Sequence, residues 1–246
     1  MPRAACAAAL VALLAVTGPA QAGPEFVEGK PVLAPVPVAT VLDPEEAATP
    51  AAGRLLARVA RVDAGLADSS YQARTSVDEA SGTYRWDCSG MTTWLLRRAA
   101  PRARAAIASA RPVARDYYHA IRKAPLGRAR GGWQRLAHVS EARPGDLFAF
   151  LRSPLSTSKI TGHVGVIVGR PVPVPGWSGA WLVRVADSTR GGHGDDRRAN
   201  DVDGGFGIGT LLFATDGAGV VTHYGWFGLD SPWLIPTTVL FGRVTG

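Results

Sequence analysis

The apolar residues of this chain change their period at Arg143-Pro144-Gly145-Asp146, a turn signal set directly before an apolar run. Before that point they recur every three to four residues. Ala51 to Leu66 carries Leu55, Leu56, Val59, Val62 and Leu66 on one helical face and ends near Gly65 to Asp68. Met91, Trp94, Leu95 and Leu96 mark a second helix that stops before Pro101. Ala103 to Ala124 is helical in pattern but interrupted by Pro112, which predicts two short helices. After the turn the texture is that of strands: Leu147 to Leu151, Gly162 to Gly169, Ala180 to Asp187, Ile208 to Ala214, Val220 to Trp226 and Thr237 to Arg243. Trp181, Val183, Val185 and Asp187 share one face of the third, and Thr215-Asp216-Gly217-Ala218-Gly219 is a hairpin turn between the fourth and fifth. Helices followed by strands with short connections predict an α+β fold. N-terminal helices, including the one that begins at Cys88, pack on one face of a roughly six-stranded antiparallel sheet.

The first 22 residues predict an address. Arg3, an Ala/Leu/Val run from Ala4 to Val16 and the Ala20-Gln21-Ala22 site have the layout of a secretory signal peptide cut after Ala22. Residues 23–50 are rich in Pro, Val, Ala and Glu without a period, and are expected to form an extended arm or linker. Residues 51–246 then make one domain with its own core. The formal net charge of +7 falls to +6 once Arg3 leaves. That excess suits polyanions, and its plainer explanation is a solvated face that aids solubility. No stretch after the leader is long and apolar enough to span a bilayer.

Cleavage at Ala22 removes Cys6 and leaves a single cysteine, Cys88, with no internal disulfide to form. Asp87 is a good N-cap, so Cys88 falls in the first turn of its helix, where unpaired backbone N–H groups and the positive dipole end favour a thiolate. Those N–H groups suit an oxyanion as well. The Asp87 carboxylate opposes ionisation, so a reactive Cys88 needs a cationic neighbour; otherwise it is a buried space-filler. Of the five histidines only His163 opens a strand, between Gly162 and Gly165, which are expected to let the Cys88 helix end approach. Asp187 ends the next strand, and antiparallel pairing sets it beside His163, in reach of the far ring nitrogen. A nucleophile, a base and a group that orients the base make a thiol hydrolase.

Asp87-Cys88-Ser89-Gly90 at a helix start, Pro144-Gly145-Asp146-Leu147, and Gly162-His163-Val164-Gly165-Val166-Ile167 occur in this order. Together they resemble the NlpC/P60 family of papain-like cysteine hydrolases, over roughly Tyr71 to Asp187. The resemblance implies a papain-like core, Cys88 as nucleophile, His163 as base and Asp187 at a third position often held by His. It also implies cleavage of amide bonds in peptidoglycan stem peptides, without a cofactor or metal, by a monomer that binds no nucleic acid and has no membrane span. Tyr71 and Tyr84 are both candidates for the tyrosine that seats substrate. Trp86 occupies an aromatic position of the motif.

Past Asp187 lies a polar block, Ser188 to Arg198. Arg190 or Arg198 is able to take a substrate carboxylate bidentately. His193 with Asp195 or Asp196 is a poor metal pattern, and a charged Gly-rich loop at a sheet edge is the plainest alternative. The expected substrate contacts are thus Tyr84, Trp86, Ser89, Arg190, His193 and Arg198. Gly204, Gly205, Gly207 and Gly209 give no phosphate loop, since no strand–GxGxxG–helix order surrounds them. The competing functions are a papain-like amidase or acyltransferase on a non-wall substrate, and a non-catalytic wall-binding protein.

Overall fold

The computed structural model describes residues 38–196, 198, 204–226 and 234–246, and the backbone of 26–27 and 30–31. The leader expected at residues 1–22 and much of the Pro-rich stretch lie outside the described residues. Phe26–Val27 (β1) and Lys30–Pro31 (β2) form an antiparallel pair. The first half then holds α1 (Pro50–Ala64), β3 (Asp68–Ser70), β4 (Ser76–Asp78), β5 (Thr83–Arg85), α2 (Cys88–Ala99), α3 (Pro101–Ala105) and α4 (Ala114–Lys123). The second half holds β6 (Trp133–Leu136), β7 (Leu147–Leu151), β8 (Gly162–Ile167), β9 (Val172–Pro173), β10 (Ala180–Thr189), β11 (Gly205–Thr215), β12 (Val221–Trp226), β13 (Ile235–Pro236) and β14 (Val239–Val244).

The fold is mixed α+β around one large antiparallel sheet. Its order is β13-β12-β11-β10-β8-β7-β14-β6, with β9 also paired to β10. The sheet has nine strands rather than six. The three unexpected ones are short: β9 and β13 are two residues each and carry Pro173 and Pro236, and β6 follows Gly131-Gly132, which broke the pattern. The stretch 68–85 forms a small sheet ordered β3-β5-β4. Its residues are too polar to show an alternation.

Helix boundaries follow their caps. Thr49 Oγ1 accepts from Ala52 N at 3.1 Å and Pro50 occupies the first position of α1. Pro101 opens α3 in the same way, and α4 starts after Pro112. The buried stripe of α1, with Leu55, Leu56, Val59 and Val62, packs with Met91, Leu95 and Leu96 of α2 and with Leu147, Ala149, Val164 and Val166 of the sheet. The alternate residues of the same strands fill a second core of Phe148, Phe150, Ile167, Val183, Val185, Leu211, Phe213, Tyr224 and Phe241. Both faces are therefore buried, where a single packed face was expected. β12 and β14 stand five places apart in the sheet yet touch, so the sheet curls and closes its concave face on its own aromatic side chains. His163 shares the parity of Ile167, and Asp187 that of Val183 and Val185, so both belong to the concave side.

Two glycine expectations need correcting. Gly162 and Gly165 were expected to admit the Cys88 helix. A side chain on Gly162 would instead strike the Phe150 carbonyl oxygen at 1.9 Å, and one on Gly165 the Phe148 ring at 2.7 Å and the Ala186 oxygen at 2.9 Å. They make room for β7 and β10. The Pro144-Gly145-Asp146 turn is a structural clasp: Asp146 is buried and bound by Arg243 of β14 at 2.8 and 3.0 Å. Residues 38–46 lie against the domain, through Arg184 to Thr40 at 2.9 Å and Arg170 to Glu46 at 2.7 Å. Among the described residues no helix is long and apolar enough to cross a membrane.

Candidate active site

Cys88 begins α2, and the chain that leads into it is tied down on both sides. Trp86 N donates to Ser70 O at 3.2 Å, and Ser188 Oγ of β10 donates to Trp86 O at 2.9 Å. Asp87 caps the helix as expected: Oδ1 accepts from Gly90 N at 2.6 Å and from Ser89 Oγ at 2.8 Å, while the Asp87 carbonyl takes Met91 N. The N–H groups of Cys88 and Ser89 are left at the open helix end. That is the place where an oxyanion formed at Cys88 would find donors.

His163 and Asp187 reach each other across β8 and β10. The register pairs Val185 with Ile167 and Ala186 with Val166. Extending it sets Asp187 opposite Gly165, one diagonal step from His163 on the same face. Nε2 of His163 lies 2.9 Å from Asp187 Oδ2, and the ring lies near enough to Cys88 for the two to interact. With Nε2 committed to Asp187, Nδ1 is the nitrogen left for the sulfur. Burial pushes the imidazole pKa down. The negative charge at Cys88, together with the hydrogen bonds to Asp187 and Cys88, overrides it and raises the pKa to about 9. Phe148, Phe150 and Trp226 surround the ring at centroid distances of 5.7, 5.6 and 5.4 Å. These walls limit water around the pair, which strengthens it.

Asp187 holds more than His163. His193 Nε2 is 3.1 Å from the same Oδ2, and Arg198 Nη2 is 2.8 Å from Oδ1. Burial would raise the pKa of this carboxyl, but the charges of His193 and Arg198 and the two imidazole hydrogen bonds hold it well below the usual carboxylate range. Arg198 also binds Asp196 through Nε and Nη2, and donates from Nη1 to Thr189 Oγ1 at 2.9 Å and Gly205 O at 2.7 Å. The loop after β10 thus folds back and buries two cations beside the carboxylate.

The structure brings Cys88, His163 and Asp187 together. It gives most of the expected substrate contacts other work. Tyr84 and Trp86 are buried and pack on each other at 5.1 Å and on Trp94 at 6.2 and 5.6 Å. Ser89 is buried against its cap, and His193 and Arg198 are buried against Asp187. Asp195 and Asp196 pair with Arg184 and Arg198 rather than with a metal set, and Arg197 lies outside the described residues. Only Arg190 is exposed, with its guanidinium 5.5 Å from the ring of Tyr71. Tyr71 is half-buried. Its pKa is pushed up to about 12, first by burial and then by the charges at Cys88 and Asp87. Of the two candidate tyrosines Tyr71 is the one left partly exposed and within reach of the charge at Cys88, while Tyr84 is buried. Trp226 was missed: it ends a strand by pattern, and nothing local says that its ring spans His163 and His193.

Comparison with protein-family models, with curated proteins and with solved structures returns no match for this chain.

Proposed function

We propose that the chain is an exported cysteine hydrolase with a papain-like core that cleaves amide bonds, in peptidoglycan stem peptides, through Cys88, His163 and Asp187. One observation carries the reading: a buried imidazole bonded to a carboxylate on one side and set near a helix-start cysteine on the other. Three separate stretches of chain meet to make it, and packing alone asks for none of the three polar groups.

In the proposed reaction the Cys88 sulfur attacks the scissile carbonyl carbon, and the N–H groups at the α2 start receive the oxyanion. His163 gives its proton to the leaving amine. It then takes a proton from the water that hydrolyses the thioester. Asp187 keeps the ring oriented and stabilises its charged form. Export is supported by the leader pattern in residues 1–22.

Arg190 and Tyr71, the polar rim next to the nucleophile, suit a peptide that presents a carboxylate close to the scissile amide. Arg190→Ala is expected to raise KM for such a substrate about tenfold with kcat nearly unchanged, since a charge-assisted bond contributes roughly 1.5–3 kcal/mol. An unchanged KM removes Arg190 from recognition. The function itself is tested by digesting purified muropeptides with the wild type and with Cys88→Ala, and reading the products by mass spectrometry. New, smaller peptides are expected from the wild type alone. Identical product sets remove the cell-wall reading.

A further inference from the structure

We propose that His193, held doubly protonated between Asp187 and the Thr210 carbonyl, is a positioning residue that sets the orientation and residual charge with which Asp187 acts on His163. The proposal rests on the thiol-hydrolase reading for its consequence, but the charge of His193 follows from hydrogen-bond partners alone. Nδ1 lies 3.0 Å from Thr210 O. A carbonyl oxygen only accepts, so Nδ1 carries hydrogen. Nε2 lies 3.1 Å from Asp187 Oδ2. In a neutral ring that nitrogen would present a lone pair to a carboxylate oxygen. Asp187 does not hold that proton itself, because the Arg198 guanidinium on its Oδ1 keeps the carboxyl ionised. Both ring nitrogens therefore donate, and the ring is an imidazolium with no exposed surface.

Burying that charge costs free energy unless the surroundings balance it. The groups that face it do so. From β10 comes Asp187. From the loop come Asp196, whose Oδ2 accepts His193 N at 3.1 Å, Asp195, which takes Thr210 N at 2.9 Å, and the cation of Arg198. From β8 comes His163, through the shared oxygen, and from β12 the ring of Trp226, its centroid 5.0 Å from that of His193. Asp187 and Asp196 balance His193 and Arg198, and Asp195 is balanced by Arg184. The shift of His193 agrees in direction: burial lowers its pKa, and the charge of Asp187 raises it further.

A second observation is independent of the charges. β11 carries glycine at the two positions beneath the cations. A side-chain carbon on Gly209 would lie 2.3 Å from Cβ and Cγ of His193, and one on Gly207 would lie 2.1 Å from Nε of Arg198. Gly207 is also the cross-strand partner of Asp187. The strand gives up two side chains so that the loop can seat its cations against that carboxylate.

The consequence has a sign. Asp187 shares its charge among three donors, so its hold on the His163 proton is moderated. Removing the His193 charge returns more of it to His163. In His193→Gln the alkaline step in Cys88 alkylation by iodoacetamide, which reports loss of the His163 proton, is expected to move up by about one pH unit. His193→Lys retains a cation and should leave the step near its wild-type position. A purely structural support would give the opposite result: with Asp187 released, the step moves down in both variants. The charge is read directly from 1H–15N imidazole spectra of the full chain, in the wild type and in Cys88→Ala. Both His193 nitrogens should be protonated from pH 6 to 8. A neutral tautomer in a protein whose Cys88 still reacts overturns this proposal alone, and so does a step that stays still or falls in His193→Gln. A native Cys88 inert to iodoacetamide would instead remove the hydrolase reading and leave the spectra to decide the charge. If the variants do not fold, the wild-type spectra still do so.

Discussion

His163→Ala is expected to lower kcat/KM on the amide substrate by about a thousandfold or more, and to slow iodoacetamide alkylation of Cys88 at pH 7. The expectation follows from the neighbours of the sulfur. The α2 N-terminus favours negative charge, but the Asp87 carboxylate caps the same turn and opposes it. His163 supplies the compensating cation, and its pKa of about 9 means that it carries its proton at neutral pH. Alanine removes both that cation and the proton the leaving amine needs. The same proton gives a stability sign. A group raised from 6.5 to about 9 on folding contributes stability that is complete below its unfolded value and is lost as pH rises through 9. The denaturant midpoint of the wild type should therefore fall between pH 7 and pH 10 by more than that of His163→Ala. Undiminished alkylation and turnover in the variant would make His163 a bystander and leave the α2 N-terminus as the source of Cys88 reactivity.

The parts of this molecule that sequence could show are those written in periodicity and caps. Asp87, Pro101 and Pro112 mark helix limits, and the change of period at Pro144-Gly145 separates the main helices from every strand of the large sheet but β6. Cys88, His163 and Asp187 were accessible because each lies within two residues of an element's end, although β10 runs on to Thr189 rather than stopping at Asp187, and antiparallel pairing has a simple geometry. The curl of the sheet was not, because the alternation that fills the concave core looks the same in a strand with one face open to water. Nor was the fate of the polar block after Asp187. Its Arg, His and Asp residues have the composition of an exposed loop. Their burial depends on a fold-back over Gly207 and Gly209, and those glycines gain meaning only from the side chains above them. His193 and Arg198 were expected to meet a substrate because unpaired charges usually lie outside. They meet Asp187 and Asp196 instead. Arg190, eight residues before Arg198 in the same block, stays at the rim.

Asp187→Asn keeps the volume of the side chain and removes the charge on which His163, His193 and Arg198 converge. Breaking a buried ionic network by taking out one partner costs about 3–5 kcal/mol. In a chain of this size that corresponds to a fall in Tm of roughly 10 °C. An amide accepts at one end only, so either Arg198 or the two imidazoles must face an N–H group. His193 can adapt by releasing its Nε2 proton and accepting from the new amide. His163 then has no acceptor that orients its Nε2 hydrogen, and turnover should fall by about 10³–10⁴. Because folding depresses the Asp187 pKa, its contribution is present above the unfolded carboxylate value and is lost only as pH falls through the lower folded one. The carboxylate's own share of the stability gap between wild type and variant should hence hold from pH 8 to 5 and be lost only in stronger acid. A variant as stable as the wild type at pH 7 would mean that the buried cations do not depend on this carboxylate. The fold would then be holding His193 and Arg198 by some other means, and the orientation of His163 would have to be explained without them.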